Sequence, residues 1–356
     1  MNPFNPYRIL RYVDDIPALK GDDNGPRPGD VRPRMLLIYP SMTCNQKCEY
    51  CYYIPMHEKA AFMSEKMIAE IMRDSIMMGI EGVELCGGGE PLLHPASVDY
   101  LGAGIDSGLK FGVLTHAAVP RKHELFTLIG EHFSYFRVSM DYGDPEFYAT
   151  TRGSHVKMFE WAIENIETAL HAREEYSDRY GEGSSNCLIS IKATVWKQTP
   201  EQICELAYLG KRLGVDSIQF KRADQVAGGM EQDRSRHNAI SETLENLKRD
   251  PAMPPIMYNF GKTKLAHKCW ITPIHAFVET DGDVHLCCYY EGRHDTHKIG
   301  NVKEQSLREI WGSSKHVAAI KNVDADICNE YACRFIGYMK TLDEAVDDDL
   351  LQLQFV

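Results

Sequence analysis

The residues with the clearest chemical meaning are three cysteines spaced C-x3-C-x2-C, at Cys44, Cys48 and Cys51. Thiolates at this spacing can bind three corners of one [4Fe–4S] cluster, which leaves the fourth iron open to another ligand. The alternative is a structural zinc site, which normally has four protein ligands. His57 is the nearest residue that could supply the fourth. The triplet therefore predicts an iron–sulfur cluster with one open iron, with a zinc knuckle as the alternative.

A glycine-rich segment, Gly87-Gly88-Gly89-Glu90-Pro91, follows the second predicted strand. Glycines let the backbone approach a ligand closely, because they carry no Cβ. A carboxylate such as that of Glu90 can pair with an ammonium group. Alone, the run would indicate only a turn. Because it lies one β/α unit after the cysteine triplet, it predicts part of a ligand site.

These two motifs resemble the signature of radical S-adenosylmethionine (SAM) enzymes. An aromatic residue precedes the third cysteine in that family, as Tyr50 does here. The family's GGE motif is matched by Gly88-Gly89-Glu90. The resemblance implies that the open iron binds the amino and carboxylate groups of SAM, and that the GGE motif holds the methionyl amine.

Two further segments resemble the family less closely. Ser139 and Asp141, at the end of the fourth predicted strand, resemble residues that bind the ribose of SAM, and Arg152 resembles an arginine that pairs with its carboxylate. A strand-end cap and a surface ion pair are the alternative interpretations. The chain has His116-Ala117 where the family often has Asn-Gly, a departure that could direct His116 toward a substrate.

The resemblance also implies a reaction. One electron from an external donor such as flavodoxin or ferredoxin would cleave SAM, and the resulting 5′-deoxyadenosyl radical would abstract hydrogen from an unactivated carbon. The cofactors would carry this reactivity, while the protein positions the reactants and excludes water and oxygen.

A second group of cysteines, Cys269, Cys287, Cys328 and Cys333, lies toward the C-terminus. Four thiolates would close a site for zinc or for a second [4Fe–4S] cluster, and the spacing does not choose between them. The pattern C-x12-G-x4-C resembles the SPASM or Twitch extension of radical SAM enzymes. The full SPASM form has more cysteines, so the resemblance implies the shorter Twitch form with one auxiliary cluster, and Cys288 as a spare or alternative ligand.

Strands and helices alternate around the first two motifs. A helix-length crossover returns the chain to the same edge of a sheet, so the strands are predicted to be parallel. About six units are too few for a closed barrel of eight. The chain is therefore predicted to be an α/β protein with a partial (β/α)6 barrel and a small C-terminal domain of β-hairpin plus helix. The predicted strands are 35–39, 82–86, 111–115, 135–140, 188–195 and 217–220, and the helices 65–78, 121–130, 156–176 and 199–213.

The predicted organisation has four parts. Residues 1–34 form a proline-rich lead-in with little core, and 35–260 form the barrel with a helical connector. Residues 261–342 form the auxiliary-cluster domain, and 343–356 an acidic tail or terminal helix. The hairpin of the third part is predicted at 276–279 and 284–289 around an Asp-Gly turn.

Composition limits the partners and the location. The 356 residues carry a net charge of −12, which disfavours nucleic acid as a partner. No apolar run reaches the roughly 18 residues of a membrane span, and the N-terminal stretch lacks the apolar core of a signal peptide. We therefore expect a cytoplasmic protein, in which eleven reduced cysteines are available to bind metal.

The predicted reaction is a net two-electron oxidation, because a fully ligated auxiliary cluster can accept an electron. The leading substrate is a sugar or aminocyclitol carbinol, since the lead-in is too short for a peptide-recognition domain. Radical epimerisation and peptide modification are the alternative reactions. A non-catalytic zinc-binding scaffold is a more remote alternative.

Few other side chains are candidates for catalysis. Cys86, beside the GGE motif, is the candidate hydrogen donor, because the sequence around Cys187 and Cys204 is typical of buried thiols. The late strands carry Lys192 and Lys221, which could face either the barrel interior or the solvent. Arg222 has the same two alternatives.

Overall fold

The structure is a computed structural model that describes residues 6–15, 29–51, 53, 61–120, 122–223, 234–260, 269–288, 294–324, 333 and 335–346. The chain divides into two compact units. We call Ile38–Ala69 with Glu81–Gly261 the barrel unit, and Met1–Leu37 with Glu70–Ile80 and Lys262–Val356 the terminal unit. None of the helices in these described ranges is long and apolar enough to cross a membrane.

Strand β1 (Met35–Ile38) leads the chain into the barrel unit, where the Ile38 carbonyl accepts the N–H of Cys86. The strands that follow are β2 (Gly82–Leu85), β3 (Lys110–Thr115), β4 (Tyr135–Ser139), β5 (Leu188–Val195), β6 (Ser217–Arg222) and β7 (Ile256–Asn259). From β2 to β7 each strand is parallel to the next, in chain order. The open parallel sheet of the predicted partial barrel is confirmed.

Helices connect these strands, and local sequence fixes several of their ends. They are α1 (Glu65–Met78), α2 (Ser97–Asp106), α3 (His123–His132), α4 (Pro145–Thr151), α5 (Lys157–Tyr180), α6 (Pro200–Leu213) and α7 (Arg234–Lys248). The predicted N-cap Ser64 accepts the N–H of Met67 at 3.3 Å. Thr199 and Gln202 form a reciprocal capping box at the start of α6. These caps agree with the helix starts predicted at 65 and near 200.

The central strands of the sheet have two chemically different faces. One face is apolar and fully buried, with Phe136 and Val138 on β4 and Ile189 and Ile191 on β5. The alternating residues form a polar surface that we call the inner face. On β4, β5 and β6 it consists of Tyr135, Arg137, Ser139, Ser190, Lys192, Thr194, Ser217, Gln219 and Lys221, with Leu188 at the start of β5 as its one apolar residue. A closed barrel is filled with branched apolar side chains, so a polar inner face indicates an interior suited to binding.

The inner face resolves the orientation of three basic residues. Lys192 and Lys221 are half-buried on it. Arg222 alternates with Lys221 and therefore lies on the opposite face, where its guanidinium donates to the Phe260 carbonyl at 3.4 Å. Of the three, only Lys192 and Lys221 can therefore line the interior of the barrel.

The terminal unit contains a small antiparallel sheet and short helices. The predicted hairpin is confirmed, with Asp281 and Gly282 in its turn and Gly282 at a φ of +92°. The Asp283 N–H donates to Asp281 Oδ1 at 3.0 Å, as expected for an Asp-Gly turn. The elements are β8 (His275–Val278), β9 (Asp283–His285), α8 (His294–His297), β10 (Lys298–Asn301), α9 (Leu307–Ile310), α10 (Ser314–Lys321) and α11 (Ile336–Val346).

The expectation that the lead-in contributes little core is wrong, and the expectation of a purely helical connector is incomplete. The proline-rich lead-in contains a 3₁₀ helix, Pro6–Asp15, whose Ile9 is buried against Trp270 and against Met339 of α11. The apolar face of this helix packs against α11, so the lead-in contributes to the hydrophobic core of the terminal unit. The connector contains a helix as predicted, α7, and in addition β7, which pairs with β6.

Candidate functional site

The cysteine loop and the glycine-rich segment form one packed structure at the end of β1 and β2. The N–H of Gly89 donates to the Ser41 carbonyl at 3.1 Å, and the N–H of Glu90 to the Thr43 carbonyl at 2.9 Å. A Cβ on Gly88 would lie 2.4 Å from Met42 Sδ, and one on Gly89 2.3 Å from the Thr43 oxygen. Gly89 is therefore required for the glycine-rich segment to lie directly on the cysteine loop, whereas a side chain at Gly88 would require the end of the Met42 side chain to move.

The thiols of the triplet lie in a partly desolvated loop within electrostatic range of one another. Burial raises the pKa of Cys44 to about 12, and the charges of Glu90, Cys48 and Cys51 add to that increase. Burial also raises the pKa of Cys48 to about 11, although Arg152 acts in the opposite direction. Thiolates in such a place need a cation bound to them. Three soft thiolate donors in this environment fit an iron–sulfur cluster.

The carboxylate of Glu90 is buried and held by three neighbouring donors, two on Oε1 and one on Oε2. Its Oε1 accepts from the Leu92 N–H at 3.0 Å and from the Thr115 hydroxyl at 2.5 Å. Its Oε2 accepts from the His116 N–H at 2.9 Å. These contacts fix the carboxylate beside the cysteine loop, at the ends of β2 and β3.

His116 does not extend toward a substrate space, which was one expectation from the sequence. Its Nδ1 accepts the Ala118 N–H at 2.9 Å, and its Nε2 lies 3.2 Å from Glu90 Oε2. Burial lowers the pKa of His116, so the ring is neutral with its proton on Nε2. The next residue, Ala117, has a φ of +58° in the left-handed region. This explains why a glycine is expected there.

A buried ion pair lies beneath the cysteine loop, between Asp141 and Arg152. Arg152 Nη2 donates to Asp141 Oδ2 at 2.6 Å, and its Nη1 donates to Gln46 Oε1 at 2.9 Å. The Tyr50 hydroxyl also donates to Asp141 Oδ2, and the Thr194 N–H donates to Oδ1 at 2.7 Å. The two side chains that resemble SAM ligands thus face each other and two residues of the cysteine loop.

Backbone contacts strengthen the same attachment. The N–H of Lys47 donates to the Arg152 carbonyl at 2.8 Å, and the N–H of Glu49 to the Thr151 carbonyl at 3.0 Å. A Cβ on Gly153, whose φ is +51°, would lie 2.9 Å from the Lys47 oxygen. The cysteine loop is therefore clamped to the end of α4.

Sequence reasoning missed Gln46 and Tyr148, which support the ion pair. Gln46 Nε2 donates to the Tyr148 hydroxyl at 2.9 Å, and the Arg152 guanidinium lies 4.9 Å from the centre of the Tyr148 ring. Gln46 lies between the first two cysteines, which was the only signal for it. Nothing in the sequence signals Tyr148, because only folding brings α4 to the loop.

The remaining candidates from the sequence are one serine and three cysteines. Ser139 is half-buried at the end of β4, opposite Lys192 of β5. Cys86 is half-buried directly after β2. Cys187 is buried, as expected for a packing residue, whereas Cys204 on α6 is only half-buried.

The second cysteine group lies in the terminal unit. Cys269, Cys287 and Cys333 are half-buried and Cys288 is buried, whereas Cys328 lies outside the described residues. Cys269 packs against the apolar cluster of the terminal unit, and so does Phe335, two residues after Cys333. Cys269 and the segment just after Cys333 therefore pack against the same apolar cluster.

Family models match the two regions of the chain that contain the two cysteine groups. Residues 38–181 match the Radical SAM superfamily, and residues 269–334 match the SPASM iron–sulfur cluster-binding domain. The chain is 24% identical, over 87% of its length and 91% of the relative, to the tungsten-containing aldehyde ferredoxin oxidoreductase cofactor-modifying protein of Pyrococcus furiosus.

Solved structures share the fold. SuiB of Streptococcus suis bound to the precursor peptide SuiA is similar with a TM-score of 0.65 and 17% identity, over 86% of this chain and 71% of SuiB. The enzyme anSMEcpe with bound AdoMet and the Cp18Cys peptide is similar with a TM-score of 0.58 and 18% identity, over 86% of this chain and 88% of that enzyme. The radical SAM domain implies a [4Fe–4S] cluster with SAM, and the SPASM domain implies auxiliary iron–sulfur binding. The chain therefore contains a radical SAM domain and a SPASM domain.

Proposed function

We propose that the chain is a radical SAM oxidoreductase that dehydrogenates a carbinol carbon of a small, polar substrate of the sugar or aminocyclitol type. The observation that carries this proposal is the polar inner face of the sheet. Its serines, Thr194 and Gln219 present hydroxyl and amide groups that match the hydroxyl groups of a polyol. An apolar substrate would leave those groups without hydrogen bonds, at a cost of about 1–3 kcal/mol each.

The proposal assigns the first motif to cofactor binding. When bound, the cluster and SAM supply the one-electron chemistry that removes hydrogen from an unactivated carbon. Cys44, Cys48 and Cys51 would hold the cluster. Glu90, held by Thr115 and His116, would hold the methionyl amine together with the backbone of Gly88 and Gly89.

The strand-end residues have a different place in this proposal. Ser139 lies on the inner face and remains a candidate for the ribose. Asp141 and Arg152 act on the cofactor through the cysteine loop, because their side chains already bind each other and that loop. We therefore treat both as positioning residues.

The second cysteine group would hold one auxiliary [4Fe–4S] cluster through Cys269, Cys287, Cys328 and Cys333. A two-electron oxidation needs a place for the second electron, and this cluster would receive it before passing it on. Anaerobically reconstituted wild type should then contain about eight irons per chain, and the Cys44→Ala, Cys48→Ala, Cys51→Ala variant about four. A wild type with about four irons would refute the auxiliary cluster.

Isotope transfer tests the reaction. Reduced, reconstituted protein is incubated anaerobically with SAM and with sugars or aminocyclitols that carry deuterium on each carbinol carbon in turn. We expect 5′-deoxyadenosine that is one mass unit heavier with the true substrate, and a product with two hydrogens fewer. Solvent deuterium at the same carbon, lost in Cys86→Ala, would instead show epimerisation with Cys86 as the donor.

A second candidate is modification of a protein's cofactor, and the likeness to the Pyrococcus furiosus protein favours it, because that likeness covers nearly the full length of both chains. The same assay decides between the two. Transfer of deuterium from a labelled small carbinol supports the first proposal. Formation of 5′-deoxyadenosine only with a protein that carries its cofactor supports the second.

A further inference from the structure

The chain between β3 and α3 runs directly beside Glu90. We call residues 115–119 the 115–119 segment, and each of them is at most 6% exposed. The Thr115 hydroxyl donates to Glu90 Oε1 at 2.5 Å, and the His116 N–H donates to Oε2 at 2.9 Å. The position of the Glu90 carboxylate therefore depends on the position of this segment.

Asparagine side chains from two other parts of the chain bind the second half of the segment. Asn165 of α5, itself 8% exposed, donates from Nδ2 to the carbonyls of Ala117 at 2.7 Å and Val119 at 2.9 Å. Asn45 of the cysteine loop donates to the Ala118 carbonyl between them at 2.9 Å. An amide nitrogen carries two hydrogens, so one Asn165 side chain can serve both carbonyls. Three consecutive carbonyls are thus held in place by side chains.

The segment needs this support because its backbone bends sharply at Ala117. The φ of +58° lies in the left-handed region, which disfavours residues with a Cβ. Such a conformation persists only where surrounding contacts hold it. The two hydrogen bonds from Asn165 fall on the bend itself and two residues after it, so they are placed to maintain it.

Hydrogen bonds connect the bend to Glu90. The Ala117 N–H donates at 2.9 Å to the Thr115 hydroxyl, which itself donates to the Glu90 carboxylate. The Ala118 N–H donates at 2.9 Å to Nδ1 of His116, whose Nε2 lies 3.2 Å from Glu90 Oε2. A movement of the bend would therefore move the donors that hold the carboxylate.

We propose that Asn165 is a positioning residue for SAM: it holds the 115–119 segment, and the segment holds Glu90 in the orientation that receives the methionyl amine. This inference rests on the proposed function, because that function assigns the methionyl amine to Glu90. The N–H groups of residues 116–119 already have acceptors within the protein, so the segment acts on SAM through Glu90. A carboxylate out of place would form longer and less linear hydrogen bonds to the amine, which weakens them steeply.

Binding of SAM without turnover tests the inference. The cluster-reconstituted full chain, without reductant, is titrated calorimetrically with SAM, and iron content is measured on the same samples. We compare wild type with Asn165→Ala, which loses both donors, and with Asn165→Ser, which keeps one hydroxyl donor and changes the packing less. Glu90→Gln and the double variant Asn165→Ala/Glu90→Gln complete a thermodynamic cycle.

Ser185→Ala is the matched control. Ser185 is also 8% exposed, and its hydroxyl donates to a backbone carbonyl, that of Gly130, at 2.8 Å. It precedes β5, whereas Glu90 follows β2, so the two lie at opposite ends of the parallel strands. Its loss removes a buried hydrogen bond of the same kind without touching the 115–119 segment.

Asn165→Ala should bind SAM roughly tenfold more weakly than wild type and Asn165→Ser about threefold more weakly, whereas Ser185→Ala should stay within about twofold. Iron content should equal that of wild type in all of these variants, because the three cysteines are unchanged. Glu90→Gln should itself bind SAM more weakly. In that background Asn165→Ala should cause less than about a twofold further loss, because the group that it positions is already gone.

Wild-type SAM affinity in both Asn165 variants would overturn the inference. So would the same fold loss from Asn165→Ala with and without Glu90, since that result indicates a general loosening of the fold. Wild-type affinity in Glu90→Gln would instead refute the assignment of Glu90 in the proposed function, and the inference with it. The isotope-transfer assay tests the reaction separately, and its failure would leave the SAM-binding result intact.

Discussion

The buried ion pair beneath the cysteine loop permits a quantitative prediction. Replacing Arg152 by methionine keeps most of the side-chain volume but leaves the Asp141 carboxylate buried without its charged partner. Both side chains are at most 3% exposed, and the pair is 2.6 Å apart. Removing one member of such a pair costs about 3–5 kcal/mol of unfolding free energy. The change also removes a hydrogen bond to Gln46, so the upper half of that range is expected.

The chain offers a half-buried ion pair as a matched control. Arg173 and Asp216 form an equally short ion pair, 2.5 Å apart, but their side chains are 19% and 32% exposed. Arg173→Met should therefore cost less, about 1–2 kcal/mol, because the pair is more hydrated although Arg173 also donates to the Cys187 carbonyl at 3.0 Å. Both variants are compared by urea unfolding of the reconstituted protein, with iron content measured on the same samples. Arg152→Met should also lose iron, because the loop it releases carries Cys48.

A double variant separates the charge from the packing. Asp141→Asn removes the buried charge that Arg152→Met leaves unpaired, so the two changes together should cost less than the sum of their separate costs. Equal losses of stability in Arg152→Met and Arg173→Met, with full iron in both, would refute the reasoning. In that case the arginine would be a candidate for direct contact with SAM.

Three further predictions concern stability. Ala117→Gly should stabilise the folded protein by about 1 kcal/mol in thermal unfolding, because the left-handed φ of +58° strains alanine. Ala118→Gly, the control, should destabilise the folded protein. Burial lowers the pKa of His316 to about 4, below its usual 6.5. The neutral ring therefore contributes about 3 kcal/mol to the free energy of unfolding above pH 6.5, and this contribution is lost between pH 6.5 and pH 4. Urea unfolding at a series of pH values should show this loss in wild type and not in His316→Gln. Asp74→Ala should cost about 2 kcal/mol in the same assay, because buried Asp74 accepts the Leu307 N–H at 3.0 Å.

The parts of the fold that local chemistry determines were predictable. The Ser64 cap, the Thr199-Pro200-Glu201 start of α6 and the Asp281-Gly282 turn each depend on a few adjacent residues, and each is found where the sequence places it. The 3₁₀ helix in the lead-in was not predictable from its prolines. Its burial depends on Trp270 and on α11, which are more than 250 residues away in the chain.

In the candidate site, too, some features follow from local sequence and others depend on contacts between distant residues. The cysteine spacing and the GGE motif identify the residues that could hold the cofactors, because a metal cluster and an ammonium group constrain residue type and spacing directly. The direction of the Arg152 side chain does not follow from such constraints. An arginine near a carboxylate ligand and an arginine in a buried ion pair have the same local sequence, and only the position of Asp141 distinguishes them.

Asp141 also connects the cysteine loop to the proposed substrate surface. Its carboxylate accepts from Tyr50 of the loop, from Arg152 and from the backbone of Thr194, and Thr194 is opposite Lys221 on the inner face. A hydrogen abstraction requires the reacting atoms to be held at close range, and small displacements reduce the rate strongly. One buried carboxylate that binds both the cluster loop and β5 supplies such a fixed geometry. A loose loop would lose it even with all three cysteines present, which is why the ion pair matters to the reaction as well as to stability.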